Sequence, residues 1–278
     1  MEYFEFYDRD PGLQDIRIAF LNAVEDFHEK RDFTSNFLQV ANELEISIRA
    51  SCEEDSGEEG RAFTLNGQRI ILLKSVRSAK RRVFTAWHEL SHHLFEILSD
   101  GDFRAFLDDL TYGHPDWRNS CEEELCFESA ALLLMPTHVV NSVTEENGFS
   151  PISVFVLSKK TGASYSAAMR RLIRRKSIDS HGVLMRPDGQ VLDSFQYGGK
   201  RGKYCVGSGF KLESSHPLLS SPFHPLKTER FAASVPFKGG NRKWMSKCMA
   251  AVDQEEDRVV AFFVDDYPVD NKDQLSLF

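Results

Sequence analysis

Two histidines separated by three residues, His88 and His92, constrain this chain more than any other feature of its sequence. They lie in the segment RRVFTAWHELSHHLFE (81–96), whose apolar spacing predicts a helix over 78–98. Residues four apart on a helix project from one face, so the two imidazoles converge on a point where a tetrahedral metal ion fits. The sequence therefore predicts a metal site built on one buried helix.

The residue after the first histidine, Glu89, lies one helical step round from the metal-binding face. There we expect it to act as general base on a water molecule and then to pass the proton to a leaving amine. Zn²⁺ is the metal that these ligand types predict, and Mn²⁺ or Fe²⁺ also suits two histidines and one glutamate. His93 points away from the ligand face and is expected to be a bystander or to support a ligand.

A third protein ligand is expected from the next predicted helix, 121–134. Three consecutive glutamates stand near its start: Glu122, Glu123 and Glu124. Helical phase favours Glu123, because it shares a face with Cys126, Phe127, Ala130 and Leu134 and a carboxylate there is costly unless it is paired or binds a metal. The other two glutamates are assigned to wetter faces. Two histidines remain alternative ligands: His114 and His138.

The segments 81–96 and EELCFESAALLLMP (123–136) resemble two helices of the ImmA/IrrE family of metallopeptidases. The segment VFVLSKKTGASYSAAMRRL is similar to a further element of that family. The resemblance implies the following roles: metal ligation by His88, His92 and Glu123, and general-base catalysis by Glu89. Four positions depart from the family pattern: Trp87 replaces Ala, Ser91 replaces Gly, Phe127 replaces Asn, and Ser129 replaces Phe.

The resemblance implies narrow proteolysis by an endopeptidase. Family members typically cut a helix-turn-helix repressor of the XRE type, in stress, DNA-damage or mobile-element regulation. A strand near Ile70–Leu73 is expected at a sheet edge, where it would align a substrate segment by strand addition. Two other hypotheses are a regulatory adaptor with a structural metal site and a peptidase-like component of a toxin–antitoxin pair.

The whole chain predicts an α+β fold with a zincin-like helical peptidase domain. Two helices are predicted over 13–48, and Asn66-Gly67 predicts a hairpin. Short β-type runs follow residue 180, and a longer branch of the family has a sensor-like domain there. The predicted domains are a zinc metallopeptidase domain (1–150), a helix-turn-helix-like segment (151–178), a β-rich C-terminal domain (179–266) and a flexible tail (267–278).

Charge and cysteine usage indicate where such a protein works. A net charge of −8 argues against a protein that coats nucleic acid. The basic segment 169–176 is accordingly interpreted as a packing helix with its arginines in water, and direct DNA binding is not expected. Five scattered cysteines without CxxC spacing indicate reduced thiols. With no secretory signal and no apolar run of spanning length, we expect a cytoplasmic protein without a membrane partner.

The last five residues resemble the peptide by which bacterial polymerases and repair proteins dock on the DNA sliding clamp. Four side chains carry the predicted contact: Gln274, Leu275, Leu277 and Phe278. The apolar ones suit a pocket, and the glutamine suits a hydrogen bond at its rim. The alternative is a terminus that packs on its own domain.

Overall fold

The computed structural model describes residues 11–51, 59–74, 79–98, 102–175, 180–197, 206–220, 224, 227–236 and 245–264. The chain divides into two compact units between Thr137 and His138. The tail residues Gln274, Leu275, Leu277 and Phe278 lie outside the described residues, so the predicted clamp contact stays a prediction.

The described residues of the first unit form five helices: α1 (Pro11–Glu29), α2 (Phe37–Glu43), α3 (Ala79–Ile97), α4 (Asp102–Leu110) and α5 (Pro115–Leu134). The two predicted N-terminal helices are confirmed as α1 and α2. In α1 the buried residues recur at helical spacing, and Phe20 stacks on Phe95 of α3 with ring centroids 4.1 Å apart. The α5 helix packs against both α3 and α1. These contacts bury the helix that carries the two histidines.

The described part of this unit also contains a three-stranded sheet: β1 (Ser47–Ser51), β2 (Gly60–Leu65) and β3 (Gln68–Lys74), in the order β1-β3-β2. The predicted hairpin is confirmed, since Asn66 and Gly67 both have positive φ between antiparallel β2 and β3. The edge position predicted for Ile70–Leu73 is wrong. These residues belong to the central strand, because β1 pairs with β3 on the side away from β2. Ile70 and Ile71 are consequently buried.

From Thr137 onward the described residues form the helices α6 (Thr137–Asn147), α7 (Pro151–Thr161), α8 (Tyr165–Arg175) and α9 (Pro217–Ser220). All of them except the first residue of α6 belong to the second unit. Ser150 caps α7 by accepting a hydrogen bond from the Ser153 amide. Gly162 ends that helix with a φ of 72°, and Ser164 accepts a hydrogen bond from the Ala167 amide at the start of α8. The helix, turn and helix expected over this segment correspond to α7, the break at Gly162 and α8.

The second unit also contains a five-stranded antiparallel sheet: β4 (Ser180–Met185), β5 (Val191–Tyr197), β6 (Glu229–Ser234), β7 (Met245–Asp253) and β8 (Arg258–Val264). Its strand order is β5-β4-β8-β7-β6. The α8 helix packs closely on this sheet, since a methyl group on Gly182 would lie 2.4 Å from Ile173 Cδ1. One sheet face carries a cluster of buried side chains that includes Val183, Val252 and Phe263. This β-rich half and the helical first unit give the predicted α+β fold.

The basic helix α8 uses two of its arginines within its own unit. Arg170 binds Asp193 with a shortest N–O distance of 2.8 Å, and its guanidinium lies 5.0 Å from the centre of the Phe195 ring. Arg174 lies 5.4 Å from the same ring. These side chains therefore face the sheet, whereas the sequence predicted that the arginines of this segment face water. Among the described helices, none is long and apolar enough to cross a bilayer.

Candidate metal centre

The α3 helix brings the two predicted histidine ligands together. His88 and His92 lie one turn apart on one face, with ring centroids 5.1 Å apart and planes at 83°. Other sides of the helix are held by the buried side chains of Trp87, Leu90 and Leu94. Trp87 packs edge-on against Phe37 of α2, with ring centroids 5.3 Å apart. This packing fixes the helix and directs both imidazoles toward α5.

Glu123 on α5 faces both imidazoles. Its Oε2 atom lies 3.2 Å from His88 Nε2, and its Oε1 atom lies 3.4 Å from His92 Nε2. Two zinc bonds of about 2.0–2.1 Å at a tetrahedral angle place their ligand atoms about 3.3 Å apart. One nitrogen or oxygen atom from each of these three residues lies within 4.8 Å of the others. Two imidazoles and one carboxylate at these distances fit a zinc ion with an open coordination position.

The prediction that Glu123 lies on a buried, apolar face of its helix is wrong, although its position suits a ligand. The Glu123 side chain is 49% exposed, whereas that of Glu122 is 8% exposed and Glu124 is buried. Phe127, predicted on the same inward face, is also exposed. Because α5 packs against two helices, buried positions extend round most of it, and the open strip is the one that faces the histidines.

The other histidines do not join the cluster. Within the part of the chain that the structure describes, His88, His92 and Glu123 form the one group of histidine, cysteine or acidic side chains that could hold a metal ion. His114 instead precedes α5 and packs near Trp117. His93 is buried, its Nε2 lies 3.2 Å from the Ile70 carbonyl oxygen, and burial lowers its pKa. It therefore ties α3 to the central strand of the small sheet.

Glu89, the predicted general base, is buried beside the cluster. Burial raises the pKa of its carboxyl group, and the charge of Glu123 acts in the same direction. The charges of His88 and His92 and a hydrogen bond from the Ala62 backbone oppose that rise without cancelling it. The Glu89 side chain thus extends from α3 toward β2, and the pKa of its carboxyl group is raised.

The sequence missed the role of Glu122. Its Oε1 atom lies 2.9 Å from His92 Nδ1, and its Oε2 atom accepts a hydrogen bond from Arg118. Burial opposes the charged carboxylate, but His92, Arg118 and Arg104 lower the pKa of Glu122 overall. Arg118 and Glu122 are four residues apart on one helix, and this spacing favours an ion pair.

Two of the residues that depart from the family pattern, Ser91 and Ser129, contact each other in the first unit. Ser91 and Ser129 are fully buried, and their hydroxyl oxygens are 2.8 Å apart. Ser91 Oγ also donates to the Trp87 carbonyl oxygen at 2.8 Å. A third departure, Phe127, places its ring centroid 4.4 Å from that of His88. These three side chains therefore pack between α3 and α5, beside the three candidate ligands.

Comparison with known proteins agrees with this geometry. Residues 41–172 match the model of the IrrE N-terminal-like domain, Peptidase_M78. The radiation response metalloprotease IrrE of Deinococcus deserti is 27% identical over 190 residues, covering 62% of this chain and 64% of the relative. The radiation response metalloprotease IrrE of Deinococcus radiodurans is 25% identical over 191 residues, covering 62% of this chain and 57% of the relative. The alignments thus span less than two thirds of either relative.

A solved structure described as a Mycobacterium tuberculosis transcriptional regulator resembles this fold with a TM-score of 0.54. The match covers 94% of this chain and 79% of that chain at 13% identity, so it bears on the fold alone. The domain match, in contrast, includes both helices of the metal centre. Residues 41–172 therefore form an IrrE N-terminal-like domain, and the resemblance to the ImmA/IrrE metallopeptidases that the sequence predicted is confirmed.

Proposed function

We propose that this protein is a zinc-dependent, site-specific endopeptidase. The observation that carries the proposal is the buried carboxylate of Glu89 beside the cluster of His88, His92 and Glu123. A purely structural metal site requires ligands alone and has no use for a base. The partial exposure of Glu123 also suits an open site that a peptide can reach.

A metal ion held by the three ligands would activate a water molecule and polarise the carbonyl of the scissile peptide bond. Glu89 accepts the proton of the attacking water and delivers it to the leaving amine nitrogen. Glu89 is placed for this exchange, because its side chain is buried beside the three candidate ligands. Phe127, partly exposed beside His88, provides an apolar surface next to the reacting bond.

The strand that borders this site is β2. It occupies an edge of the described three-stranded sheet, and its Ala62 backbone bonds to Glu89. We therefore assign to β2, in place of the Ile70–Leu73 segment, the role of aligning an extended substrate by strand addition. Main-chain hydrogen bonds to such an edge bind a peptide without reading its sequence, so side-chain contacts near Phe127 would contribute selectivity.

The substrate that we propose is a helix-turn-helix repressor of the XRE type, cleaved in stress, DNA-damage or mobile-element regulation. The resemblance to the ImmA/IrrE family supports this choice, and two relatives are named as radiation response metalloproteases. A repressor substrate also agrees with the cytoplasmic location expected from the sequence. The three described cysteines, Cys121, Cys126 and Cys248, are buried free thiols, as a reducing compartment favours.

The test uses the full-length protein after removal of metal and reloading with Zn²⁺, Mn²⁺ or Fe²⁺. Each form is incubated with XRE-type repressors encoded by neighbouring genes and with a peptide library derived from a proteome, and products are identified by mass spectrometry. We expect one cleavage site in one repressor, and only in a metal-loaded form. Cleavage of library peptides without any repressor would contradict the substrate class. No cleavage of either would contradict the peptidase.

A further inference from the structure

Glu122 is a buried carboxylate that the proposed hydrolysis does not use. Its Oε1 atom lies 2.9 Å from His92 Nδ1. An ionised carboxylate only accepts hydrogen bonds, so the proton of the His92 ring belongs on Nδ1. His92 Nε2 then presents a lone pair, and this is the atom that lies 3.4 Å from Glu123 Oε1. The contact with Glu122 thus selects the tautomer that a metal ligand needs.

Two arginines form ion pairs with the carboxylate of Glu122. Arg118 donates to its Oε2 atom, and Arg104 Nη2 lies 3.5 Å from its Oε1 atom. Arg118 is itself fixed by a 2.7 Å hydrogen bond from its Nε atom to Asp108 of α4. The carboxylate therefore has a cation on one side and the imidazole on the other, and it cannot turn away from His92 without breaking these contacts.

The other histidine has a different environment. His88 Nδ1 is buried and has no hydrogen-bond partner among the described residues. Its ring is packed against Phe127 at a centroid distance of 4.4 Å. Both rings contact Glu123 through Nε2. On the Nδ1 side, the orientation of His88 therefore depends on packing, whereas the orientation of His92 depends on a charged hydrogen bond. Loss of Glu122 should disturb one ligand and not the other.

We infer that Glu122 is a positioning residue that orients His92, fixes its Nδ1–H tautomer and increases the basicity of Nε2. It acts through His92 and not on the substrate. Carboxylates that bind the far nitrogen of a metal-ligating histidine typically affect metal affinity about 10–100-fold. This inference rests on the metal role proposed for His88, His92 and Glu123.

The test is a competition titration of full-length protein with Zn²⁺ and a chromophoric chelator. We expect Glu122→Ala to weaken zinc binding about 10–100-fold. Glu122→Gln should have a smaller effect, because its amide oxygen still accepts the hydrogen bond although the charge is lost. Glu128→Gln is the matched control. Glu128 is also a buried carboxylate of α5 in an arginine ion pair, with Arg17 at 2.7 Å. The control should lose stability yet keep the zinc affinity of the wild type.

A second readout separates positioning from stability. Nitrogen-15 spectra of the imidazoles report the tautomer of His92, which should be Nδ1–H in the wild type and in Glu128→Gln and mixed in Glu122→Ala. Wild-type zinc affinity in Glu122→Ala, or an equal loss in Glu128→Gln, would overturn the inference. A wild type that binds zinc through His92 but cleaves no peptide would contradict the peptidase and leave the role of Glu122 standing. A wild type that binds no zinc would contradict both.

Discussion

Gly60 lies directly against the side chain of Glu89. A methyl group on Gly60 would lie 2.8 Å from both Cγ and Oε1 of Glu89 and 2.6 Å from Thr85 Cγ2. Since these distances are shorter than real methyl contacts, Gly60→Ala must shift the β2 backbone or the side chains of Thr85 and Glu89, and we expect the proposed base to be displaced. A misplacement of about 1 Å costs about 100-fold in rate. We expect a loss of that size in kcat, measured on a cleaved repressor peptide, with unchanged zinc content.

The control for this substitution is Gly207→Ala in the second unit, where an added methyl group meets no atom within 4 Å. It should leave kcat, KM and zinc content at wild-type values. If Gly60→Ala retains full kcat, then the close contact between β2 and Glu89 does not hold the base in place.

If His88, His92 and Glu123 are the zinc ligands, replacing Glu123 and replacing its neighbour Glu124 should affect zinc occupancy differently. Replacing Glu123 by Ala removes the carboxylate that faces both imidazoles and should lower zinc occupancy sharply, as measured by metal analysis after dialysis. Replacing Glu124 by Ala should leave occupancy near that of the wild type, although its burial predicts a loss of stability. Equal loss of zinc in the two variants, or loss only on replacing His114 or His138, would contradict the assigned ligand.

The buried pair of Ser91 and Ser129 should couple α3 to α5. Ser91→Ala leaves the Ser129 hydroxyl group without this partner, at a cost of about 1–3 kcal/mol in the free energy of unfolding. Ser129→Ala should cost less, because the Ser91 hydroxyl group keeps its hydrogen bond to the Trp87 carbonyl oxygen. The double variant should lose less than the sum of the single losses, by at least about 0.5 kcal/mol. Urea denaturation of the four proteins measures this difference. Strictly additive losses would show that the hydroxyl contact contributes nothing.

The tail prediction rests on the sequence. Gln274–Phe278 offers three apolar side chains, so we expect a dissociation constant of about 1 μM for the bacterial sliding clamp. Most of the affinity should come from Leu277 and Phe278. Deleting Gln274–Phe278 should abolish clamp binding in a titration and leave zinc content and thermal stability unchanged. A fall in thermal stability without clamp binding by the intact protein would instead indicate a terminus packed on its own domain.

Local signals account for the parts of the fold that the sequence predicted. The four-residue spacing of His88 and His92 and the Asn66-Gly67 turn each act over a few residues, and both are found where they were expected. The β1 strand was missed because it follows an apolar helical run and its pairing with β3 is parallel and distant in sequence. That omission explains why Ile70–Leu73 was misplaced at an edge.

The environment of α5 could not be predicted because it depends on side chains from other helices. Glu128 is buried because Arg17, 111 residues away in sequence, binds it with two nitrogen atoms. Arg104 of α4, a helix that the sequence analysis missed, approaches Glu122 in a similar way. A single helix predicts its apolar face from its own pattern, but it gives no sign of cations supplied by its neighbours.

The most direct test of the central claim compares the wild type with Glu89→Gln, both loaded with zinc, on a repressor that the wild type cleaves. The amide cannot accept the proton of the attacking water, so peptide-bond cleavage should be abolished. Zinc content and melting temperature should match the wild type, because none of the three ligand atoms belongs to Glu89. Mass spectrometry of the products measures the rate of cleavage. Cleavage by Glu89→Gln at the wild-type rate would contradict a peptidase in which Glu89 is the base.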